Sequence, residues 1–169
     1  MRLLISDANI LIDMEAGMLI ETLFLLPMEF GIPDLLYHEE IEEGSPELEQ
    51  LGLQIMEVRS EFVQYAVSLT HQYNQTLSTK NGVKPSHNDY LAVALAKQES
   101  CTLLTGDANL RIVADKESIA VMGTIGLLCA MIENQLLTVD DALKALLKMK
   151  DNKRRLPWSI AEKEIQALR

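Results

Sequence analysis

Four acidic residues stand where their side chains could do chemistry: Asp7, Glu40, Asp89 and Asp107. Asp7 directly follows the apolar run LLIS, and Asp107 follows CTLLT after one glycine. Both runs read as buried strands. In open parallel sheets, ligands bind outside the carboxyl ends of the strands. If the first and fourth strands are neighbours, Asp7 and Asp107 converge. Glu40 and Asp89, at helix starts or on early helical turns, could then point into the same crevice. Crowded carboxylates repel, and burial makes this worse, so protonation or a bound cation must offset it. An all-oxygen donor set suits Mg2+ or Mn2+, which keep several waters and accept phosphate oxygens. In-line hydrolysis of a phosphodiester is the chemistry such a set serves best, and it needs no nucleophilic side chain.

Each acid taken singly also has a plainer role. Asp7 and Asp107 can cap the helices that follow them. Asp89 can be the third-position partner of Ser86 in a capping box. Glu40 lies in HEEIEE, and an acidic run is usually a solvated helix face.

The elements that must hold these acids follow from the apolar pattern. Residues 2–6 read as a strand. Residues 8–26 read as a helix broken near Gly17 and ended by Pro27, and 29–32 as a second strand. A helix opens at Pro33 and Asp34 and stops at Gly44. A helical turn falls over 46–51, a third strand over 52–58 and a helix over about 60–78. TKNGVKP (79–85) is a loop, and the segment from Ser86 is an alanine-rich helix. CTLLT is a fourth strand, 107–117 a helix and IAVMG a short fifth strand. Thr124 starts an apolar helix to about 134. Thr138 with Asp141 caps another to about 150, and Ser159 with Glu162 caps the last. Strands alternate with helices and are mostly continuous apolar runs, as when helices cover both faces of a parallel sheet. The expected fold class is α/β: a three-layer α/β/α domain with a central, mostly parallel five-stranded sheet and a helical C-terminal extension.

The totals agree. The chain has 169 residues, 48% apolar and 24% charged, enough for one domain with a substantial core. Cys101 and Cys129 form no C-x-x-C pair and read as buried free thiols of a reducing compartment. MRLLISD is too short in apolar residues for a signal peptide, and no apolar run could span a membrane. A soluble cytoplasmic protein is expected. The net charge of −10 argues against a nucleic-acid partner, but it is unevenly spread. Residues 1–139 hold 7 Lys and Arg against 20 Asp and Glu (−13), and residues 140–169 hold 8 against 5 (+3).

Four segments resemble the PIN-domain nucleases, especially the VapC-type toxins of bacterial toxin–antitoxin pairs. LLISDANILID is similar to that family's opening strand and D-x-N/S-x-L/I start. IPDLLYHEEI is similar to its strand-to-helix segment ending in Glu and an aliphatic residue. HNDYLAVALAKQESCTLLTGDANLR resembles its central block, an Asp opening an Ala-rich helix before a strand ending T-x-D. IAVMGTIGLL resembles the G-T-x-G-L-L segment of one subgroup. The resemblance covers about 1–135, giving a nuclease domain over 1–135 and an extension over 136–169 packed on the same domain. It implies strand order 3-2-1-4-5 and metal-dependent hydrolysis of single-stranded RNA. It assigns Asp7 and Asp107 to the main ion, Mg2+ or Mn2+, with Asp89 and Glu40 completing the site directly or through water. Glu39 and Glu43 are alternatives to Glu40, which is preferred because Ile41 takes the aliphatic place. Asn9 and Thr105 match supporting polar positions. Asn109 holds the place of a further acid found in some members, and Asp115 lies close by in sequence. The family further implies an antitoxin protein partner and a homodimer.

Lys148, Lys150, Lys153, Arg154 and Arg155, with Lys144 ahead of them, read either as an RNA-phosphate footprint or as a solvated helix end. His38, His71 and His87 lack metal-ligand spacing and are expected near the surface. IGLLCAMI reads as core, and Trp158 as the anchor of the terminal helix or a base-stacking platform. Two rival functions stand beside the nuclease. One is a PIN-like scaffold that binds without cutting. The other is a Mg2+ phosphatase of the haloacid-dehalogenase type, faintly resembled by SDANIL but with Asn9 in place of its second acid.

Overall fold

A computed structural model describes residues 1–77 and 83–169. The expected loop at 79–85 and the end of the helix expected over 60–78 therefore lie partly outside the described residues. Five strands form one parallel sheet in the order β3-β2-β1-β4-β5, and helices flank it. They are β1 (Arg2–Ser6), β2 (Met28–Pro33), β3 (Gln54–Met56), β4 (Thr102–Leu104) and β5 (Val121–Met122). The central strands are buried on both sides: Leu4, Ile5, Ile32, Leu103 and Leu104 are fully enclosed. That is why they read as apolar runs rather than as alternating ones. No helix among the described residues is long and apolar enough to cross a membrane.

The helices are α1 (Ala8–Ala16), α2 (Ile20–Leu23), α3 (Asp34–Leu36), α4 (Leu48–Leu51) and α5 (Ser60–Asn74). They continue with α6 (His87–Gln98), α7 (Ala108–Lys116), α8 (Thr124–Glu133), α9 (Val139–Asp151) and α10 (Trp158–Gln166). Helix α6 is the innermost, its residues 90–96 all buried, so the alanines that favour helix also let it lie close against the sheet. Across it, α5 is tied to the end of α7. The hydroxyls of Tyr65 and Tyr73 donate to the two carboxylate oxygens of Glu117 at 2.5 and 2.6 Å.

Helix α9 packs on α1 and α8, and α10 packs on α8 and α9. In α9 the buried Val139, Ala142, Ala145, Leu146 and Met149 repeat at helical spacing, and a Thr138–Asp141 capping box starts the helix. Met149 crosses α1 at Gly17, where an added Cβ would come within 2.7 Å of its methyl carbon. Glycine there permits the close approach. The α8 residues Leu127, Leu128 and Met131 are buried, as the apolar pattern predicts.

Several boundaries differ from those the sequence predicts. The break expected near Gly17 is present, with Met18 in a left-handed backbone (φ 59°), but only the short α2 follows it rather than a helix to residue 26. The helix expected to run to Gly44 is α3 for one turn and then widens into a π turn over Tyr37–Ile41, closed by the Glu42 amide donating to the Tyr37 carbonyl. The third strand covers only 54–56, since β3 is an edge strand paired on one side. Ser159 is not a cap: α10 begins at Trp158 with Pro157 before it, so Ser159 already lies inside the helix. Both thiols are free but half-buried rather than buried. All three histidines are exposed.

Candidate active site

The register of the sheet sets the site. Ser6 pairs with Leu104, so the residues that follow, Asp7 and Thr105, emerge side by side at the carboxyl edge. The Asp7 amide continues the ladder by donating to the Leu104 carbonyl at 3.1 Å. The Thr105 hydroxyl donates to Asp7 Oδ2 at 2.5 Å and accepts from the Asp107 amide at 3.1 Å, joining the two strand ends through one oxygen.

The capping roles expected of Asp7, Asp89 and Asp107 are all present. Asp7 caps α1, its Oδ1 accepting from the Ile10 amide at 3.0 Å. Asp107 caps α7, its Oδ1 accepting from the amides of Asn109 and Leu110. Asp89 forms a reciprocal capping box with Ser86. Capping holds each carboxylate at a helix start, and each of these helices begins at the carboxyl edge of the sheet. Asp7 is completely buried. Burial raises its pKa to about 7, against the lowering effect of the Thr105 and Ile10 hydrogen bonds, and the charges of Asp89 and Asp107 push it further up. Asp89 is also shifted up, first by burial and then by Asp107, against its Ser86 bonds.

Glu40 sits at the mouth of this group, on the π turn. Partial burial raises its pKa, opposed by a hydrogen bond from Asn88 and reinforced by Asp89 and Glu39. The Asn88 amide nitrogen donates to Glu39 Oε2 at 2.6 Å and to Glu40 Oε2 at 3.1 Å. The wider π turn lets two consecutive glutamates face the same partner, an arrangement typical of functional segments. Glu43 takes no part in that pairing. Asn88 has no signal of its own in the sequence beyond standing next to Asp89.

The basic segment divides. Arg154 turns inward: its Nε donates to Asp13 Oδ1 at 2.6 Å, and its Nη2 to the Asn9 side-chain oxygen at 3.2 Å. Asp13 is nearly buried and also accepts from the Thr124 hydroxyl at 2.7 Å. The one signal of Asp13 in the sequence is an acid amid the apolar residues that α1 buries, and the motifs do not mark it. Lys153 and Arg155 flank Arg154 and line, with Asn9 and Asp107, a cleft of about 470 Å³. Lys148 is exposed on α9, and Lys150 lies over the half-buried Trp158 ring at 5.9 Å. Asn109 is buried behind Asp107, and Asp115 is exposed further along α7.

The donor set is all oxygen and the carboxylates repel one another, which fits a hard divalent cation. Among the described residues, no three His, Cys, Asp or Glu side chains are grouped tightly enough to hold an ion by themselves. Magnesium sites typically use one or two carboxylates and fill the rest with water and phosphate oxygens.

A parallel sheet whose order reverses between β1 and β4, with carboxylates at that switch point, is a doubly wound α/β domain with an acidic crevice. A family model described as a PIN domain matches residues 3–169, and the chain belongs to the PIN-domain family. PIN domains are generally nucleases and typically use divalent metals. No curated protein matches the chain.

Proposed function

We propose that this PIN domain is a divalent-metal-dependent endoribonuclease that hydrolyses phosphodiester bonds of single-stranded RNA. The observation that carries the reading is Asp7: a fully buried carboxylate with its pKa raised to about 7, within the electrostatic field of Asp89 and Asp107. A buried acid so placed costs stability, and it makes physical sense where a cation offsets it.

Asp7 and Asp107 would hold Mg2+ or Mn2+, with Asp89 and Glu40 completing the site through bound water. The bound ion would supply charge for the phosphate oxygens and an acidified water as nucleophile. The chain's own groups prepare the geometry. Thr105 holds Asp7 Oδ2 and the Asp107 amide together, fixing the two strand ends. The cap bonds at Asp107 Oδ1 orient its carboxylate. Asn88 restrains Glu39 and Glu40 at the rim. Arg154 fixes Asn9 beside the cleft.

The test is cleavage of an end-labelled single-stranded RNA by purified protein with Mn2+ or Mg2+. Wild type should cut, chelator should stop it, and Asp7→Asn should abolish cutting while keeping a native circular-dichroism spectrum. Full activity in Asp7→Asn would refute the assignment.

A further inference from the structure

A second cavity, of about 390 Å³, adjoins the acidic crevice. It shares Asp13, Gly106 and Arg155 with the cleft that holds Asp107, so the two form one continuous path. Arg111 from α7 and Arg155 from the link before α10 line it. We propose that this cavity is a phosphate subsite, in which Arg111 and Arg155 hold a backbone phosphate of single-stranded RNA next to the one being cut. Its assignment to RNA rests on the nuclease reading above.

Three observations carry it. First, neither arginine makes an ion pair with another described residue, whereas the adjacent Arg154 is committed to Asp13. Anchoring Arg154 inward directs its neighbour Arg155 to the junction of the two cavities. Second, the Arg111 guanidinium lies over Gly123, where an added Cβ would come within 2.8 Å of one of its nitrogens. Gly123 carries no side chain to cap α8, so a cation stands at a helix N-terminus that is itself positive. An anion relieves that arrangement. Third, the acids in the lining are Asp13 and Glu164, and Asp13 is already satisfied by Arg154 and Thr124. The guanidinium fork suits phosphate oxygens, and two of them along a continuous cleft suit a chain of phosphates.

The experiment measures binding apart from cutting. A fluorescein-labelled single-stranded oligoribonucleotide is titrated with full-length protein in EDTA, by anisotropy, over a range of salt. The Arg111→Gln/Arg155→Gln variant should bind about tenfold more weakly or worse. Its slope of log affinity against log salt should be shallower by about 1.4, or about 0.7 for each arginine–phosphate pairing removed. Arg111→Lys/Arg155→Lys should recover most of the slope, which a folding defect would not allow. Lys163→Gln, on exposed α10 surface, is the charge control. Equal affinity and slope in wild type and the Gln variant, or no RNA binding at all, would overturn the subsite. Arginine-dependent binding without any cleavage in Mn2+ or Mg2+ would keep the subsite and refute the nuclease. Cleavage with arginine-independent binding would do the reverse.

Discussion

At the scale of single residues, Asp7 concentrates the tension between folding and function. It caps a helix and accepts from Thr105, yet it lies at no solvent exposure beside two other acids. Its folded pKa, about 7, is above the unfolded value of 3.8. A group shifted this way contributes its full stability below the unfolded pKa and loses it as pH rises through the folded pKa. In metal-free protein, wild type should therefore weaken as pH rises from about 4 to about 7, and Asp7→Asn should not share that loss. We expect Asp7→Asn to gain about 2–4 kcal/mol on wild type between pH 4 and pH 8 in EDTA. Urea unfolding at both pH values measures it. A difference between the two proteins that stays constant with pH would show that the buried carboxylate is not under strain.

At the scale of elements, the segment after α9 is pinned to the carboxyl edge of the sheet by the Arg154–Asp13 pair, whose side chains are 24% and 8% exposed. Removing one partner of a largely buried pair strands the other charge. Arg154→Ala should cost about 2–3 kcal/mol in urea unfolding, with an unchanged m-value. Asp13→Ala should cost a similar amount. The double variant should cost less than the two single losses added together, since the pair is broken only once. Strict additivity would mean that the two side chains act independently. The π turn is the other element with a local consequence. It holds Glu39 and Glu40 on one Asn88, which a regular α-helical turn, with its tighter rotation per residue, does not readily do.

At the scale of the whole molecule, a cation that binds only the folded chain raises stability by mass action, by about 2.7 kcal/mol at a hundredfold excess over its dissociation constant. For a domain of this size that is a rise in Tm of about 5–10 °C. Mn2+ should raise the Tm of wild type by this amount, EDTA should reverse it, and Asp7→Asn should show little of it. Differential scanning fluorimetry reads all three. The same scale explains the uneven charge: an acidic body surrounds the carboxylates, and the basic end of the chain folds back to the rim of the same cleft.

Much of this protein was legible in its sequence. The apolar runs before Asp7 and before Gly106 specify buried parallel strands, because only strands covered on both faces dispense with alternation. The acids after those runs mark the edge where ligands collect. Ser86 with Asp89, and Thr138 with Asp141, announce helix starts because capping is a local interaction. What the sequence could not show depends on interactions between distant segments. Thr105 meets Asp7 through the β1–β4 register, Arg154 reaches Asp13 from the far end of the chain, and Asn88 bridges to the π turn. Arg154 among four neighbouring cations looks like one more solvated charge until the packing of α9 on α1 aims it inward. Local pattern determined which elements form and where the acids stand on them. Only the tertiary structure decided which charges are neutralised and which remain available, because that depends on distance across the fold.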